Sequence, residues 1–434
     1  MNTPIYDFVK RYADSSPIRL HMPGHKGRGP IGAEPLDITE VDGADSLYEA
    51  SGIIAESEAN ASLLFGCPTF YSTEGSSLAI RAMLYLATLG RGKKVLAGRN
   101  AHKVFLSAAA LLDLDVSWLY PLPGESYQAC TILPEALEEA ICREEPDVVY
   151  ITSPDYLGHM VDVRSLAAVC HRHNVLLAVD NAHGAYLRFL TPSQHPMDLG
   201  ADLCCGSAHK TLPVLTGGAY LHVRPGLADS AKQALALFGS TSPSYLIMQS
   251  LDLANPYLET LQSSMQEFLP HITRIKEQLT EHGYTLCGDE SLKITIDASA
   301  FGYTGDQLAG ILLKKGVVSE FHDPDYLVLM CTPENTAEEM TRVCQVLCSV
   351  ERRSSIAGHH PDCKRPEKVM SVREAVFSPT ETIPINAAEG RILAQSTVGC
   401  PPAIPIVMSG ERIGADAVRL MRYYGIETCS VVKR

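Results

Sequence analysis

Three segments of the chain combine residue types and spacings that could support catalysis. The first, STEGSSLAIRAML (72–84), is a short polar turn that runs into a helical pattern. The second, VLLAVDNAHGAYL (175–187), is an apolar strand pattern that ends abruptly at Asp180. The third, DLCCGSAHKTLPVLTGGAYLHV (202–223), places Lys210 in a polar turn between apolar neighbours. In this order they offer an anion-binding turn, a carboxylate and an amine.

The polar turn of the first segment could hold a phosphate dianion. The first backbone N–H groups of a helix have no partner within the helix, and they attract anions. Gly75, Ser76 and Ser77 therefore form a candidate phosphate-binding turn. Taken alone, the same residues fit an ordinary helix N-cap equally well.

Asp180 ends a predicted strand of a parallel sheet, at the edge where open α/β sheets bind their ligands. A carboxylate there could keep a pyridine nitrogen protonated, so that the ring accepts electrons from the α-carbon of a substrate. A helix cap or a surface turn would also explain the residue.

Lys210 follows another predicted strand and is flanked by apolar residues. Partial desolvation would favour its neutral amine, which is a nucleophile for an aldehyde. Ser207 and His209 could add phosphate contacts, and the Gly217-Gly218 pair opens the next strand without side chains that could crowd a cofactor. A lysine in a turn is, by itself, usually a solvated charge.

The combination is far more specific than any one of these segments. Lys210 follows Asp180 by 30 residues, which leaves room for one helix and one strand, so both residues can meet at one sheet edge. A phosphate turn, an aspartate and a lysine are the groups that pyridoxal 5'-phosphate (PLP) requires. The spacing therefore predicts a PLP enzyme with Lys210 as the lysine that binds the cofactor.

The elements that must position these residues alternate between strands and helices from about residue 55 to 225. Such alternation predicts an α/β fold with a largely parallel sheet that is covered on both faces. The predicted strands are 94–98, 116–120, 147–152, 175–180, 202–207 and 217–223, and the predicted helices are 76–89, 103–112, 133–143 and 163–173. A long helix over 242–262 leaves this domain, and a second α/β unit follows.

This pattern predicts five parts. They are an N-terminal arm (1–30), a PLP-binding large domain (31–265), a smaller α/β domain (266–351), a linker (352–368) and a C-terminal module (369–434).

The composition excludes some classes of binding partner and indicates a cellular compartment. The formal net charge of −14 argues against a nucleic acid or an anionic membrane as partner. We see no secretory signal and no apolar run of about 18 residues, which a transmembrane helix would need. The 13 scattered cysteines are typical of reduced thiols in the cytoplasm. His359, His360 and Cys363 lie close in sequence but have no further ligand group nearby, so we predict no metal site.

Nearly the whole chain resembles the Orn/Lys/Arg decarboxylases, which are bacterial PLP enzymes with an aspartate-aminotransferase-like fold (fold type I). The likeness extends beyond the three segments. It includes IYDFVKRYA and RLHMPGHKG (5–27), 37–66, RNAHK (99–103), ITSPDYLG (151–158), STSPSYLIMQSLD (240–252) and GCPPAIPIVMSGERI (399–413). HMPGHKG, S-x-H-K-T and CPPAIP…SGE are specific to this family. The chain resembles the short form, without the extra N-terminal domain of the large acid-induced members.

The resemblance implies a fold and a role for each matched residue. The fold would be a three-layer α/β/α large domain with a smaller α/β domain and a C-terminal module. Lys210 would bind the cofactor covalently, Asp180 would pair with the pyridine nitrogen, His102 would stack on the ring, and His183 would lie near its phenolic oxygen. Contacts with phosphate would come from Gly75, Ser76, Ser77, Ser207 and His209, with Ser240 and Thr241 reaching the phosphate of a neighbouring subunit. Glu411 is the candidate carboxylate on the substrate side.

The implied reaction is α-decarboxylation of lysine, arginine or ornithine to a polyamine-type amine and CO₂. The working unit would be a homodimer with shared active sites, or a higher oligomer. Another PLP activity, such as an aminotransferase or a lyase, is an alternative, although neither Arg412 nor Arg419 lies in a known carboxylate-binding motif. A catalytically silent relative that serves as a binding or regulatory subunit is the other alternative.

Several residues depart from the family pattern. Glu74 replaces an amide or small residue and should repel phosphate unless its carboxylate points away. Asn181 replaces an acidic residue, and Ala208 and Asp155 each replace a threonine. Cys400 replaces an aromatic residue. These changes leave the groups for cofactor chemistry in place and bear mainly on substrate specificity and activity.

Overall fold

The structure is a computed structural model that describes residues 1–356, 365–395 and 402–433. His359, His360, Cys363 and Cys400 therefore lie outside the described residues. The chain divides into two compact units. Unit 1 comprises Met1–Gly92 and Val163–Met265, and unit 2 comprises Lys93–Asp162 and Gln266–Arg434.

The helices and strands are numbered here in chain order. The α-helices of the described residues are α1 (Pro4–Asp14), α2 (Ile53–Phe65), α3 (Gly75–Thr88), α4 (Lys103–Leu112), α5 (Pro134–Glu144), α6 (Val163–Arg172), α7 (Ala208–Thr211), α8 (Ala231–Phe238), α9 (Tyr245–Glu281), α10 (Gly305–Lys314), α11 (Ala337–Cys348), α12 (Val372–Phe377) and α13 (Ala415–Tyr423). The strands are β1 (Thr69–Ser72), β2 (Lys94–Gly98), β3 (Asp115–Leu119), β4 (Val148–Thr152), β5 (Leu176–Asp180), β6 (Leu203–Gly206), β7 (Ala219–Val223), β8 (Thr285–Cys287), β9 (Lys293–Asp297), β10 (Phe321–His322), β11 (Tyr326–Met330), β12 (Thr380–Pro384), β13 (Leu393–Gln395) and β14 (Thr428–Val432).

The strands of unit 1 are ordered β1-β7-β6-β5. Strands β5 and β6 run parallel, whereas β7 runs antiparallel to both of its neighbours. All residues of β5, β6 and β7 are buried, and helix α3 packs against β6 and β7. This burial explains why these strands are nearly continuous apolar runs. The parallel pair directs the ends of β5 and β6 to the same edge of the sheet.

The first 30 residues, which the sequence predicts to be an arm, contain a helix. Residues Pro4–Asp14 form helix α1, which packs against α2, and Ile5 and Val9 are completely buried. The helix forms because Pro4 suits the first helical turn and apolar residues recur at helical spacing. Only the part after α1 is irregular, and it exposes large apolar side chains. Those side chains are Ile18, Leu20, Met22 and Ile31.

Unit 2 contains three sets of paired strands. Strands β4, β2 and β3 run parallel, as the sequence predicts, and they pair in that order. Strands β10-β11-β9-β8 form an antiparallel sheet, with α10 and α11 begun by capping boxes at Thr304 and Thr336. Strands β12-β14-β13 form the third sheet, which shares an apolar core with α13. None of the helices within the described ranges is both long and apolar enough to cross a membrane.

Candidate active site

The phosphate turn is defined here as residues 72–77. At Gly75 its backbone has a conformation that favours glycine. Gly75 begins α3 with a φ of +68°, in the left-handed region where other residues are strained. Its N–H donates to the carbonyl of Gly217 at 2.7 Å, and the hydroxyl of Ser72 donates to the carbonyl of Gly75 at 2.9 Å. These bonds fix the entry into α3. Ser76 and Ser77 follow in its first turn and are partly exposed.

Glu74 precedes α3 at the N-cap position, but its side chain does not cap the helix. Its carboxylate instead accepts the backbone N–H of Ser240 at 2.6 Å. Ser240 and Thr241, the residues predicted to reach a neighbouring subunit, are both exposed. The structure thus ties the turn that contains them to the phosphate turn through Glu74, a contact that sequence reasoning did not foresee.

Asp180 is the last residue of β5, and only 2% of its surface is exposed. Its Oδ1 accepts the N–H of Ala182 at 3.1 Å and lies 3.5 Å from the Sγ of Cys205. A buried carboxylate requires such partners, because desolvation without them is costly. The carboxylate of Asp180 is therefore fixed by these contacts at the edge of the sheet.

Lys210 lies in the short helix α7, which directly follows β6. Its Nζ is 3.0 Å from Nε2 of His183, a residue that is buried in the loop after β5. At this distance the amine and the imidazole share a hydrogen bond. A proton can therefore pass between the two groups.

His209 connects the lysine turn to the phosphate turn. Its backbone N–H and its ring Nδ1 both lie within hydrogen-bond distance of the Gly218 carbonyl, at 3.1 and 2.9 Å. The adjacent Gly217 carbonyl accepts from Gly75, so the glycine pair holds both turns. Burial lowers the pKa of His209, and the neighbouring charge of Lys210 adds to the effect.

Two hydroxyls beside Lys210 have no hydrogen-bond partner within the described part of the chain. They are Ser207 Oγ, before α7, and Thr211 Oγ1, at its end, and both are buried. Buried hydroxyls normally have partners. These two donors are therefore available to a ligand that binds at this edge.

His102 belongs to unit 2, where it is the N-cap residue of α4. Its Nδ1 accepts the N–H of Val104 at 3.1 Å, so the ring is oriented by its own helix. Its predicted stacking on a cofactor ring stays a prediction.

Glu411, also in unit 2, forms a buried ion pair with Arg99. Its Oε2 lies 2.7 Å from Arg99 Nη2 and also accepts the N–H of Met408 at 2.7 Å. The Arg99 guanidinium lies near the rings of Trp118 and Tyr120. Burial raises the pKa of Glu411, and the charge of Arg99 opposes this shift. The carboxylate thus has protein partners, and its predicted contact with substrate stays a prediction.

Unit 1 contains most of the residues predicted to bind the cofactor. Their donors and acceptors meet the needs of PLP: an amine for its aldehyde, a buried carboxylate for its ring nitrogen, and a helix start with unpaired hydroxyls nearby for its phosphate. These residues are Gly75, Ser76, Ser77, Asp180, His183, Ser207, His209, Lys210, Ser240 and Thr241. The described part of the chain fits the cofactor that the sequence implies.

Comparison with known families gives two matches along the chain. The model of the Orn/Lys/Arg decarboxylase major domain matches residues 3–296, and the model of the C-terminal domain of the same family matches residues 362–429. An arginine decarboxylase of Bacillus subtilis is 29% identical, with 96% of this chain and 92% of the relative aligned. An arginine decarboxylase of Halalkalibacterium halodurans is also 29% identical, over 97% of this chain and 93% of the relative.

Solved structures show the same fold. The lysine decarboxylase LdcF of Francisella novicida superposes with a TM-score of 0.81 at 17% identity, covering 99% of this chain and 81% of that protein. The constitutive lysine decarboxylase of Escherichia coli gives 0.77 at 18% identity, covering 100% and 82%. An alanine–glyoxylate aminotransferase of Nostoc matches less extensively, with a TM-score of 0.55. The predicted α/β fold of PLP enzymes is confirmed.

Proposed function

The chain belongs to the Orn/Lys/Arg decarboxylase family, and on that premise we propose that it removes the α-carboxyl group of a basic amino acid with PLP as cofactor. One observation carries the proposal. The amine of Lys210 is paired with His183 at the sheet edge where Asp180 ends β5. His209 of the lysine turn and Gly75 of the phosphate turn are held by adjacent glycine carbonyls.

Bound PLP would supply an electron sink for the bond between the α-carbon and the carboxylate of the substrate. Lys210 would hold the cofactor through Nζ, and Asp180 would keep a proton on the pyridine nitrogen. The phosphate turn and the hydroxyl of Ser207 would hold the phosphate. His102 stays our candidate for the residue that stacks on the face of the cofactor ring.

The reaction converts an amino acid and one proton to an amine and CO₂, so a proton must reach the α-carbon. Lys210 Nζ and His183 Nε2, which lie 3.0 Å apart, can hold and pass that proton. The active site must also orient the substrate so that its carboxylate, rather than its α-hydrogen, is lost. We assign no residue to that task, and Glu411 stays a candidate.

Arginine is the first substrate to test. Relatives that align with nearly the whole chain are named arginine decarboxylases, whereas the lysine decarboxylases among the solved structures are below 20% identical. Lysine and ornithine belong in the same panel. The product would be a polyamine-type amine. The cysteines of the described residues are all free thiols, which fits our expectation of a cytoplasmic enzyme.

The test is CO₂ release from arginine, lysine and ornithine by the purified protein with added PLP. We expect turnover of one of them and a lysine-bound cofactor that borohydride reduces onto Lys210. Lys210→Ala should abolish both, and Lys210→Arg, which keeps the positive charge, should abolish them equally. A borohydride-stable link in Lys210→Ala would refute the assignment of Lys210. Release of CO₂ from none of the three would refute the proposed reaction.

We further propose that the working unit is a homodimer with shared active sites. The segment after α1 exposes Ile18, Leu20, Met22 and Ile31, with 62–90% of each residue accessible in the single chain. Four large apolar side chains on one irregular segment favour a protein surface that covers them. An obligate interface of this kind should bury more than about 2,000 Å². Ser240 and Thr241 are exposed as well, as residues that reach a partner would be.

Complementation tests the shared site. A Lys210→Ala subunit and a Thr241→Arg subunit should each be inactive alone, and mixing them should restore part of the activity, because one composite site then carries both native residues. Each variant mixed with itself is the control. A fully active monomer in sedimentation experiments would refute the shared-site arrangement.

A further inference from the structure

We propose that Glu74 is a positioning residue, which joins the segment 239–243 to the phosphate turn and whose negative charge weakens phosphate binding there. The second part rests on the proposed function, because it concerns the cofactor phosphate. The first part concerns the protein alone. A carboxylate beside a phosphate site is unfavourable because it repels the phosphate. We therefore expect the contacts of Glu74 to reveal a structural role.

The contact itself is short and specific. The carboxylate of Glu74 makes no capping hydrogen bond to α3 and accepts the N–H of Ser240 at 2.6 Å. Hydrogen bonds to an ionised acceptor are stronger than those between neutral groups. The bond joins residues 166 positions apart, so it fixes the path of the chain between α8 and α9.

Tyr48 holds the same segment from another side. A Cβ at Gly239 would overlap the hydroxyl of Tyr48, so the ring packs directly against the backbone of this glycine. Tyr48 lies in a short 3-10 helix (Leu47–Glu49), which is itself anchored because Lys232 Nζ donates to the carbonyl of Leu47 at 2.5 Å. Burial and the charge of Glu74 raise the pKa of Tyr48 to about 12, which is consistent with the carboxylate and the hydroxyl lying near each other.

Within the segment itself the structure gives few other restraints. The N–H of Ser242 donates to Ser240 Oγ at 3.1 Å, which shapes a local turn but does not attach it to the rest of unit 1. Ser240, Thr241 and Ser242 are exposed. The Glu74 bond is therefore the main polar attachment of residues 240–242 among the described residues. Its loss should loosen these three residues, while Gly239 stays packed against Tyr48 and Pro243 stays buried.

The negative charge of Glu74 should weaken the binding of a phosphate anion at the start of α3. The N-terminus of α3 attracts a phosphate dianion, while a carboxylate at the N-cap repels it. A glutamine at this position would keep a side-chain oxygen that accepts from Ser240 and would remove the charge. Glu74→Gln should consequently bind phosphate more tightly, whereas Glu74→Ala should lose the attachment.

The experiment uses the full chain in three forms: wild type, Glu74→Gln and Glu74→Ala. A matched control, Glu49→Gln, removes one negative charge from another exposed position of unit 1. Hydrogen–deuterium exchange of peptides that cover 239–243 reports on the attachment. Titration of the cofactor-free protein with PLP, and separately with inorganic phosphate, reports on the charge.

We expect Glu74→Ala to speed exchange at Ser240 about tenfold or more, and Glu74→Gln to stay within a few-fold of wild type. For both ligands, Glu74→Gln should lower the dissociation constant several-fold at low salt, with a smaller gain at high salt. Exchange that is unchanged in Glu74→Ala would overturn the positioning role, and equal affinities of wild type and Glu74→Gln would overturn the charge effect. If wild type fails to bind PLP but Glu74→Ala still speeds exchange, the proposed function fails and the positioning role stands.

Discussion

His195 and His222 lie next to each other in the core of unit 1, and we expect them to make the folded protein sensitive to acid. Their ring centroids are 4.9 Å apart, and both side chains are completely buried. Neither ring nitrogen of His195 has a hydrogen-bond partner among the described residues. Burial lowers the pKa of His195 to about 4, and it lowers the pKa of His222 as well. Both rings are therefore neutral in the folded protein at pH 7.

The sign of the effect follows from proton binding. In the unfolded chain a histidine has a pKa of about 6.5, so below this pH the unfolded state binds a proton that folded His195 does not. The stability that neutral His195 contributes is fully present above pH 6.5 and is lost progressively as the pH falls toward 4. At pH 5 the loss from His195 amounts to about 2 kcal/mol in the free energy of unfolding, and His222 adds a loss of the same sign.

The test compares urea unfolding of the wild type and His195→Phe at pH 7 and pH 5. Phenylalanine has a ring of similar shape, does not titrate, and leaves no polar group without a partner. We expect the wild type to lose about 2 kcal/mol more than His195→Phe between the two pH values. The control His271→Phe makes the same change at an exposed histidine and should keep the acid sensitivity of the wild type. Equal losses in wild type and His195→Phe would refute the reasoning.

Three further changes test the cofactor site and the Arg99 pair. Gly75→Ala forces a residue with a Cβ to a φ of +68°, at a cost of about 1 kcal/mol, and should weaken PLP retention after dialysis through distortion of the phosphate turn. Asp180→Asn should retain some PLP but lower kcat by orders of magnitude, because a neutral pyridine is a poor electron sink; near-normal kcat would mean that another carboxylate pairs with the ring. Glu411→Gln leaves Arg99 buried without a counter-charge and should lower the free energy of unfolding by about 3 kcal/mol. A raised KM with unchanged stability would instead favour the substrate role of Glu411.

Elements with strong local signals could be predicted closely from the sequence. Strand β2 and helix α4 occupy the predicted residues 94–98 and 103–112, because an apolar run and an apolar face have clear limits there. Strand β1 (Thr69–Ser72) was missed, since a four-residue strand that leads into a polar turn has no clear periodicity. Helix α9 extends to Glu281, beyond the predicted end at 262, because buried residues such as Ile272, Ile275 and Leu279 continue its apolar face.

Strand direction and distant contacts are harder to predict. Strand β7 runs antiparallel to β6, and residues 207–218 between them contain only the four-residue helix α7; a parallel return usually contains a full crossover helix. The bonds from Glu74 to Ser240 and from Arg99 to Glu411 join residues 166 and 312 positions apart. No local pattern specifies such pairs, whereas the places of Asp180 and Lys210 could be predicted because Asp180 ends β5 and Lys210 follows β6.

The departures from the family pattern bear on whether the chain is a catalyst or a silent relative. The carboxylate of Asp155 is matched by His159, whose N–H and Nδ1 each lie 2.9 Å from it. Asn181 is completely buried and directly follows Asp180, so an acid at this position would bury a second charge beside the first. Glu74 is bonded to Ser240. These three departures each have a local structural setting, nothing in the structure explains Ala208, and none of the four removes the amine of Lys210, the carboxylate of Asp180 or the phosphate turn. A relative that had lost catalysis would not need to keep groups that bind a cofactor. This chain keeps the amine, the carboxylate and the turn that we propose for PLP, and their retention argues for an active decarboxylase.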